Sequence, residues 1–171
     1  MPAQADRLRF VVLLGAILLA GCAPNRAPGR VALAADTAAV SAVLDSLHHE
    51  ASVADEAAYF GLFAPDGVFI GTDATERWTA DAFRAYAHPF FQRGRGWTYR
   101  PRPASRHIAF DPTGTVAWFD ELLDNASYGE TRGTGVLRRV NGAWKIEQYH
   151  LTIPVLNPLA DSVVRMIRGR H

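Results

Sequence analysis

Residues 132–152 constrain the fold most strongly, because their sequence predicts a β-hairpin with a defined register. Asn141-Gly142 is typical of a two-residue type I′ turn, which needs positive φ at both central positions. Strict alternation from this turn predicts the pairs Val140 with Ala143, Arg139 with Trp144, Leu137 with Ile146, Gly135 with Gln148, and Gly133 with His150. One face then carries Trp144, Ile146, Gln148 and His150. Because glycines stand opposite its polar pair, we expect this face to form the floor of a pocket.

Residues 1–22 resemble the signal peptide of a bacterial lipoprotein. Arg7 and Arg9 precede an apolar run at 10–20, which is shorter than the ~20 residues of a membrane-spanning helix. The run ends in Leu19-Ala20-Gly21-Cys22, which is similar to the lipobox whose cysteine is lipidated. A plain secretory signal with an incidental cysteine is the alternative. Lipidation of Cys22 predicts a cell-envelope protein, with the periplasmic side of the outer membrane preferred because Ala23 replaces the aspartate of an inner-membrane retention signal.

The charge balance argues against a nucleic-acid partner. The chain has 18 Lys and Arg against 17 Asp and Glu. Residues 1–21 hold two arginines and one aspartate, which leaves 16 of each sign and no general attraction to a polyanion. We interpret the arginines of residues 93–106 as a solvated sheet edge that hinders aggregation; these are Arg93, Arg95, Arg100, Arg102 and Arg106.

Beyond the signal, the pattern predicts a tether at 23–35, then helices, then strands. The first helix is capped by Asp36 or Thr37, the second covers about 53–63, and the third covers about 80–92 with Thr79 as its cap. His48-His49-Glu50 lacks the His-Glu-x-x-His zinc spacing, so we expect a solvated helix end. A short strand is expected at 68–70, and longer ones at 97–110, at 116–123 and in the hairpin, followed by an amphipathic tail at 158–171. Pro101 and Pro103 restrict the early half of 97–110 to a sheet edge or an irregular extension.

This order of elements and a series of motifs resemble the nuclear transport factor 2-like superfamily, and within it the SnoaL-like group. The matching residues are Tyr59-x-x-x-Phe63 with Asp66-Gly67, Phe69-Ile70-Gly71-Thr72-Asp73 with Glu76 and Trp78, Trp118-Phe119-Asp120-Glu121, Arg132-Gly133-Thr134-Gly135, and Trp144-Lys145-Ile146 with His150 and Pro154. The resemblance implies a domain at 36–157 with an α+β fold: a cone-shaped, curved antiparallel sheet, or half-barrel, whose concave face is covered by three N-terminal helices. It also implies a cavity inside the cone and a homodimer formed through the sheet.

The candidate catalytic residues are His150 and one of the pair Asp120 and Glu121. A partly buried histidine near a carboxylate can act as a general base near neutral pH, although a structural core histidine is the alternative. Asp120 and Glu121 are adjacent on one strand, so one must face the interior. A salt bridge to Arg132 or Arg106 is the alternative role for the inward carboxylate.

The candidate ligand-binding residues share an apolar or space-making character. They are Gln148, Trp144, Tyr59, Phe63, Phe69, Trp78, Trp118, Gly133 and Gly135. The aromatic members also fit a plain core. Our first hypothesis is a lipid-anchored domain that binds a small, mostly apolar molecule, the second is a proton-transfer enzyme such as an isomerase or cyclase, and the third is a dimerisation module. The sequence indicates no cofactor and no metal site.

Overall fold

The computed structural model describes residues 30–169 of the chain. The predicted signal peptide and Cys22 lie outside this range, so both stay predictions. Helix α1 (Arg30–Val53) is already formed at Arg30, upstream of the predicted cap. The Thr37 hydroxyl donates to the Leu33 carbonyl oxygen at 2.9 Å, a contact within the helix rather than a cap. Residues 30–35 therefore belong to α1 and not to the predicted tether.

Two further helices begin with polar caps, of which the second was predicted. Helix α2 (Glu56–Gly61) begins after Asp55, whose carboxylate accepts from the Ala58 amide at 2.9 Å. Helix α3 (Ala80–Phe91) begins after Thr79, whose hydroxyl accepts from the Ala82 amide at 3.2 Å, as the sequence predicts. The second helix ends earlier than predicted, because Phe63 already belongs to a strand.

A single sheet of seven strands packs against these helices. Its strands are β1 (Phe63–Ile70), β2 (Arg77–Thr79), β3 (Arg100–Pro101), β4 (His107–Phe110), β5 (Val116–Asn125), β6 (Gly129–Val140) and β7 (Ala143–Thr152). The order is β2-β1-β7-β6-β5, and both β3 and β4 pair with β5. The α+β class with a curved, unclosed sheet is confirmed, although the sheet is mixed because β1 and β7 run parallel.

The predicted hairpin is confirmed near its turn and wrong beyond Ile146. Asn141 and Gly142 have φ values of 51° and 84°, as a type I′ turn requires. The three pairs nearest the turn have the predicted register. The next pair joins Val136 to Gln148, so Glu147 is an extra residue that forms a β-bulge.

The bulge exchanges the two faces of β7. Gly135 pairs with Tyr149 and Gly133 with Leu151, which contradicts the predicted pairs with Gln148 and His150. Tyr149 and Leu151 are buried on the face that meets the helices. Because side chains alternate along a strand, Gln148 and His150 lie on the opposite face.

The predicted strand at 97–110 forms in two pieces at the edge of the sheet, and its early half is irregular, as Pro101 and Pro103 predict. Only Arg100–Pro101 and His107–Phe110 pair with β5, with an irregular segment between them. Pro101 and Pro103 cannot donate to a ladder, which explains the interruption.

One hydrophobic core lies between the helices and the sheet. It joins α1 through Val40, Leu44 and Leu47 to aromatic side chains of α2, α3 and the sheet. The chain ends in a 3₁₀ turn (Asn157–Leu159) and helix α4 (Ala160–Arg168). No helix among the described residues has the length and apolar character needed to cross a membrane.

Candidate functional site

A cleft of about 280 Å³ opens between α3, the sheet and the loop after β5. One wall is a stack of aromatic rings: Phe69 lies 3.9 Å from Phe83 between ring centroids, and Trp78 lies 5.5 Å from Phe83 and 5.2 Å from Tyr86. Trp97 extends this wall, and Glu76 and Asn125 add polar groups. The rings give this side of the cleft an apolar, aromatic wall, against which an aromatic ligand can pack.

A smaller cavity of about 20 Å³ lies deeper in the molecule, next to the cleft. The cleft and the cavity share Phe69, Trp97, Tyr99 and Leu151 as lining residues. His48 and Tyr149 border the cavity but not the cleft. A volume of this size holds about one water molecule or one polar group of a ligand. The cleft therefore has an apolar wall and, beside it, a small cavity with polar side chains.

His48 borders the cavity and is hydrogen-bonded to a buried carboxylate. Its Nε2 atom lies 2.7 Å from Glu121 Oε1, and the two residues are 8% and 0% exposed. In the neutral imidazole, a hydrogen bond donated to the carboxylate places the hydrogen on Nε2 and the lone pair on Nδ1. Nδ1 makes no hydrogen bond to a residue in the described range. This arrangement orients the ring and leaves one nitrogen able to accept a proton.

Arg106 holds the Glu121 carboxylate from the other side. Its Nε atom donates to Glu121 Oε2 at 2.8 Å, and Nη2 lies 2.8 Å from Glu121 without an aligned hydrogen bond. Nη1 donates to Asp45 at 2.8 Å. Burial alone would lower the pKa of Arg106, but the Glu121 and Asp45 carboxylates outweigh burial and raise it. The guanidinium thus compensates the charge of Glu121 inside the domain.

Three tyrosine hydroxyls surround the cavity in their neutral form. Burial raises the pKa of Tyr149 well above its ordinary value, and the nearby Glu121 carboxylate reinforces this shift. Burial also raises the pKa of Tyr59 above its ordinary value, and it raises the pKa of Tyr99 to about 12. Neutral hydroxyls can donate a hydrogen bond to a carbonyl or alkoxide oxygen of a ligand.

The structure separates the three predicted catalytic residues. Glu121 faces the interior and Asp120 is exposed, which resolves the pair. Asp120 pairs with Thr134, and Thr134 with His150, so Asp120 and His150 share the face away from the helices. His150 and Glu121 therefore do not meet in one cavity. The salt bridge to Arg106, given above as the alternative for the inward carboxylate, is formed.

The predicted ligand-binding residues divide into four groups. Tyr59, Phe69 and Trp78 line the cavity or the cleft. Phe63 and Trp144 are buried core residues, while Trp118 is exposed and Gln148 lies on the outer face. Gly133 and Gly135 do provide space, but for other groups than predicted. A Cβ at Gly133 would lie 2.3 Å from the Tyr149 hydroxyl, and one at Gly135 would lie 2.2 Å from the Gln148 carbonyl oxygen and 2.8 Å from the Phe119 ring.

His48 and Tyr149 were not predicted as site residues. The prediction of a solvated helix end at His48 is wrong, because His48 follows Leu44 by four residues and so shares the buried face of α1. Arg106 is 15% exposed and does not belong to the predicted solvated edge. A signal for Tyr149 existed in the two consecutive polar residues, Glu147 and Gln148, that interrupt the alternation of β7.

The close approach of Gly133 to Tyr149 gives a stability prediction. We expect Gly133→Ala to lower the free energy of unfolding by about 2 kcal/mol, because the new methyl overpacks the site. Adding Tyr149→Phe removes the atom at 2.3 Å and should recover part of that loss. Urea denaturation measures both variants. The matched control is Gly61→Ala, where a Cβ meets nothing within 4 Å; a loss in Gly61→Ala equal to that in Gly133→Ala would contradict this explanation.

A metal centre is not built from the described side chains. Between residues 30 and 169, no group of three or more His, Cys, Asp or Glu residues is arranged to hold a metal ion.

Comparisons with solved structures place the fold among nuclear transport factor 2-like (NTF2-like) proteins. An NTF2-like protein of unknown function from Pseudomonas putida KT2440 is 16% identical, with a TM-score of 0.58 over 73% of this chain and 90% of that one. A candidate dehydratase of the NTF2-like family from Streptomyces avermitilis is 12% identical, with a TM-score of 0.61 over 72% and 99%. A candidate scytalone dehydratase from Novosphingobium aromaticivorans is 13% identical, with a TM-score of 0.57 over 72% and 87%. These identities show a shared fold alone.

Sequence comparison gives the family. A search of curated proteins found no significant match. The family model for the SnoaL-like domain matches residues 40–156, which include α1 from Val40 onward, the whole sheet and the cleft. The chain therefore belongs to the SnoaL-like domain family.

Proposed function

We propose that this domain binds a small, flat, mostly apolar molecule that carries one polar group. The observation that carries the proposal is a pair of adjacent spaces: an aromatic cleft of about 280 Å³ and, next to it, a cavity of about 20 Å³ bordered by His48 and Tyr149. Ligand pockets have volumes of about 300–1,000 Å³, so this cleft suits a ligand at the small end of that range. The ring system would lie on the aromatic wall, and the polar group would enter the cavity.

Binding of 2-naphthol, which has two fused rings and one hydroxyl, tests this proposal. We expect saturable quenching of tryptophan fluorescence, because Trp78 and Trp97 line the cleft. Tyr86→Ala should weaken binding about fivefold, since one aromatic stacking contact contributes about 1 kcal/mol. Tyr86 is partly exposed and stacks on Trp78, so its removal changes the cleft wall more than the core.

Phe90→Ala is the matched control for Tyr86→Ala. Phe90 lies one turn further along α3, is similarly exposed and contacts Tyr86, but does not line the cleft. We expect the affinity of Phe90→Ala for 2-naphthol to stay within twofold of the affinity of the unmodified chain. Equal weakening by both substitutions, or no saturable binding, would contradict the proposed site.

A second candidate function is proton transfer on a carbonyl-containing molecule, with His48 as the base. The hydrogen bond of 2.7 Å from His48 to buried Glu121, at the edge of the cavity, favours it. In the proposed step a C–H bond next to the carbonyl breaks, the proton moves to Nδ1, and the resulting enolate oxygen accepts a hydrogen bond from a tyrosine hydroxyl. The imidazolium then returns a proton to carbon or exchanges it with solvent. Catalysed exchange of a carbon-bound proton with D₂O tests this role.

The location and assembly of the chain remain separate proposals. We propose that Cys22 is lipidated and anchors the domain in the cell envelope, with the periplasmic side of the outer membrane preferred, and that two copies associate through the sheet. Exposed Trp118 on the outer face supports the dimer, because a large exposed apolar side chain is common at interfaces. Loss of acyl labelling in Cys22→Ser tests the lipid anchor. The molecular mass of the protein, measured by sedimentation, tests the dimer.

A further inference from the structure

Helix α4 separates its apolar and polar side chains completely. Placed at 100° per residue, its apolar side chains occupy one continuous arc of about 160°; these are Ala160, Val163, Val164, Met166 and Ile167. The polar arc holds Asp161, Ser162, Arg165 and Arg168. A helix with this pattern normally buries its apolar arc.

The apolar arc of α4 is not buried in the domain. Met166 and Ile167 are 63% and 56% exposed, and the helix contains no buried residue. Of the apolar residues of α4, only Val163 lines a groove, which Tyr128, Ile153 and Leu159 also line. The segment before the helix extends the same apolar surface through Val155 and Leu156, of which Leu156 is 66% exposed. We call Ile153, Val155, Leu156 and the apolar arc of α4 the C-terminal apolar surface.

The charges beside this surface indicate its partner. Arg165 and Arg168 lie on the polar arc of α4, and the only acidic residue of the helix, Asp161, is in its first turn. An amphipathic helix with arginines on its polar arc suits the boundary of a lipid layer, where apolar side chains enter the acyl region and guanidinium groups reach anionic headgroups. We propose that the C-terminal apolar surface docks on an anionic lipid membrane.

A second copy of the chain fits this surface less well. Helix α4 is about 14 Å long and ~10 Å wide, so its face covers on the order of 150 Å², whereas stable protein interfaces bury about 800 Å² per partner. A lipid layer needs no shape complementarity, and a short amphipathic helix can lie in it. This proposal is independent of the ligand cleft and of lipidation at Cys22.

A polarity-sensitive dye placed on α4 tests the proposal in the full chain. Cys22 is the only cysteine, so Cys22→Ser permits specific labelling of Met166→Cys with a bimane dye. We expect the emission to shift to the blue with phosphatidylglycerol vesicles and not with phosphatidylcholine vesicles. A dye at Ser162→Cys, on the polar arc, should shift much less. When Arg165→Glu and Arg168→Glu are combined, the same blue shift at residue 166 should need at least a tenfold higher concentration of phosphatidylglycerol vesicles.

Three results would overturn the proposal. One is the absence of a blue shift at residue 166 with anionic vesicles. Another is an equal shift at residues 162 and 166, because it would show that the helix does not present its apolar arc to lipid. The third is a shift that appears without vesicles and rises with protein concentration, which would identify a second copy of the chain as the occupant.

Discussion

The chain is expected to accelerate exchange of the C1 protons of 2-tetralone with D₂O, and His48→Gln is expected to lose at least about 100-fold of that catalysed rate. Glutamine can still donate to Glu121 but has no basic nitrogen, so the variant separates proton transfer from packing. The measurement is the loss of the C1 proton signal by NMR, corrected for exchange in buffer. 2-Tetralone is chosen because it is bicyclic, mostly apolar and acidic beside its carbonyl.

His49→Gln is the matched control for His48→Gln. His49 is the next residue of α1 but is exposed, about 100° around the helix from His48. The rate at which His49→Gln catalyses proton exchange of 2-tetralone should equal that of the unmodified chain. Equal rates in both variants and the unmodified chain would reject the proton-transfer function and leave the binding function standing, because 2-naphthol affinity is measured separately.

Glu121→Gln is expected to lower the free energy of unfolding by about 3 kcal/mol, because removing one member of a buried ion pair leaves the other uncompensated. Arg106 keeps its contact with Asp45 and is 15% exposed. The loss in free energy of unfolding should therefore fall at the lower end of the range that is usual for breaking a buried ion pair. The melting temperature should fall by about 10 °C for a domain of this size. An amide NH₂ facing the guanidinium also places two donors against each other.

Two comparisons make the Glu121 prediction specific. Asp120→Asn changes the neighbouring carboxylate, which is exposed, and should alter stability by less than about 0.5 kcal/mol. Glu121→Gln combined with Arg106→Met should be less destabilised than the two single losses added together, because no uncompensated charge remains. Additive losses in the double variant would show that the two side chains do not act as a pair.

The hairpin shows how far the sequence specifies this site. Asn141-Gly142 fixed the turn and the first three pairs, since positive φ at both residues leaves few alternatives. The extra residue at Glu147 could not be deduced from strict alternation, although the apolar spacing of two, three and two along Trp144, Ile146, Tyr149 and Leu151 carries that signal. One inserted residue moved His150 out of the pocket and Tyr149 into it.

Long-range contacts account for the rest of the missed site. His48 and Glu121 are 73 residues apart in sequence, and their hydrogen bond depends on how α1 lies across β5. The fold class was predictable because helical segments dominate the first part of the domain, a run of strands follows α3, and the motifs followed a known order. The direction of one side chain was not, since it depends on the bulge in β7 and on the packing of α1.

A crystal structure of the chain with 2-naphthol tests the central claim most directly. We expect the fused rings of 2-naphthol to lie against Phe69, Trp78 and Trp97. Its hydroxyl should lie in the small cavity, within hydrogen-bond distance of His48 or Tyr149. Binding of 2-naphthol elsewhere, such as in the groove of Tyr128 and Val163, with the cleft unoccupied at saturation, would contradict it.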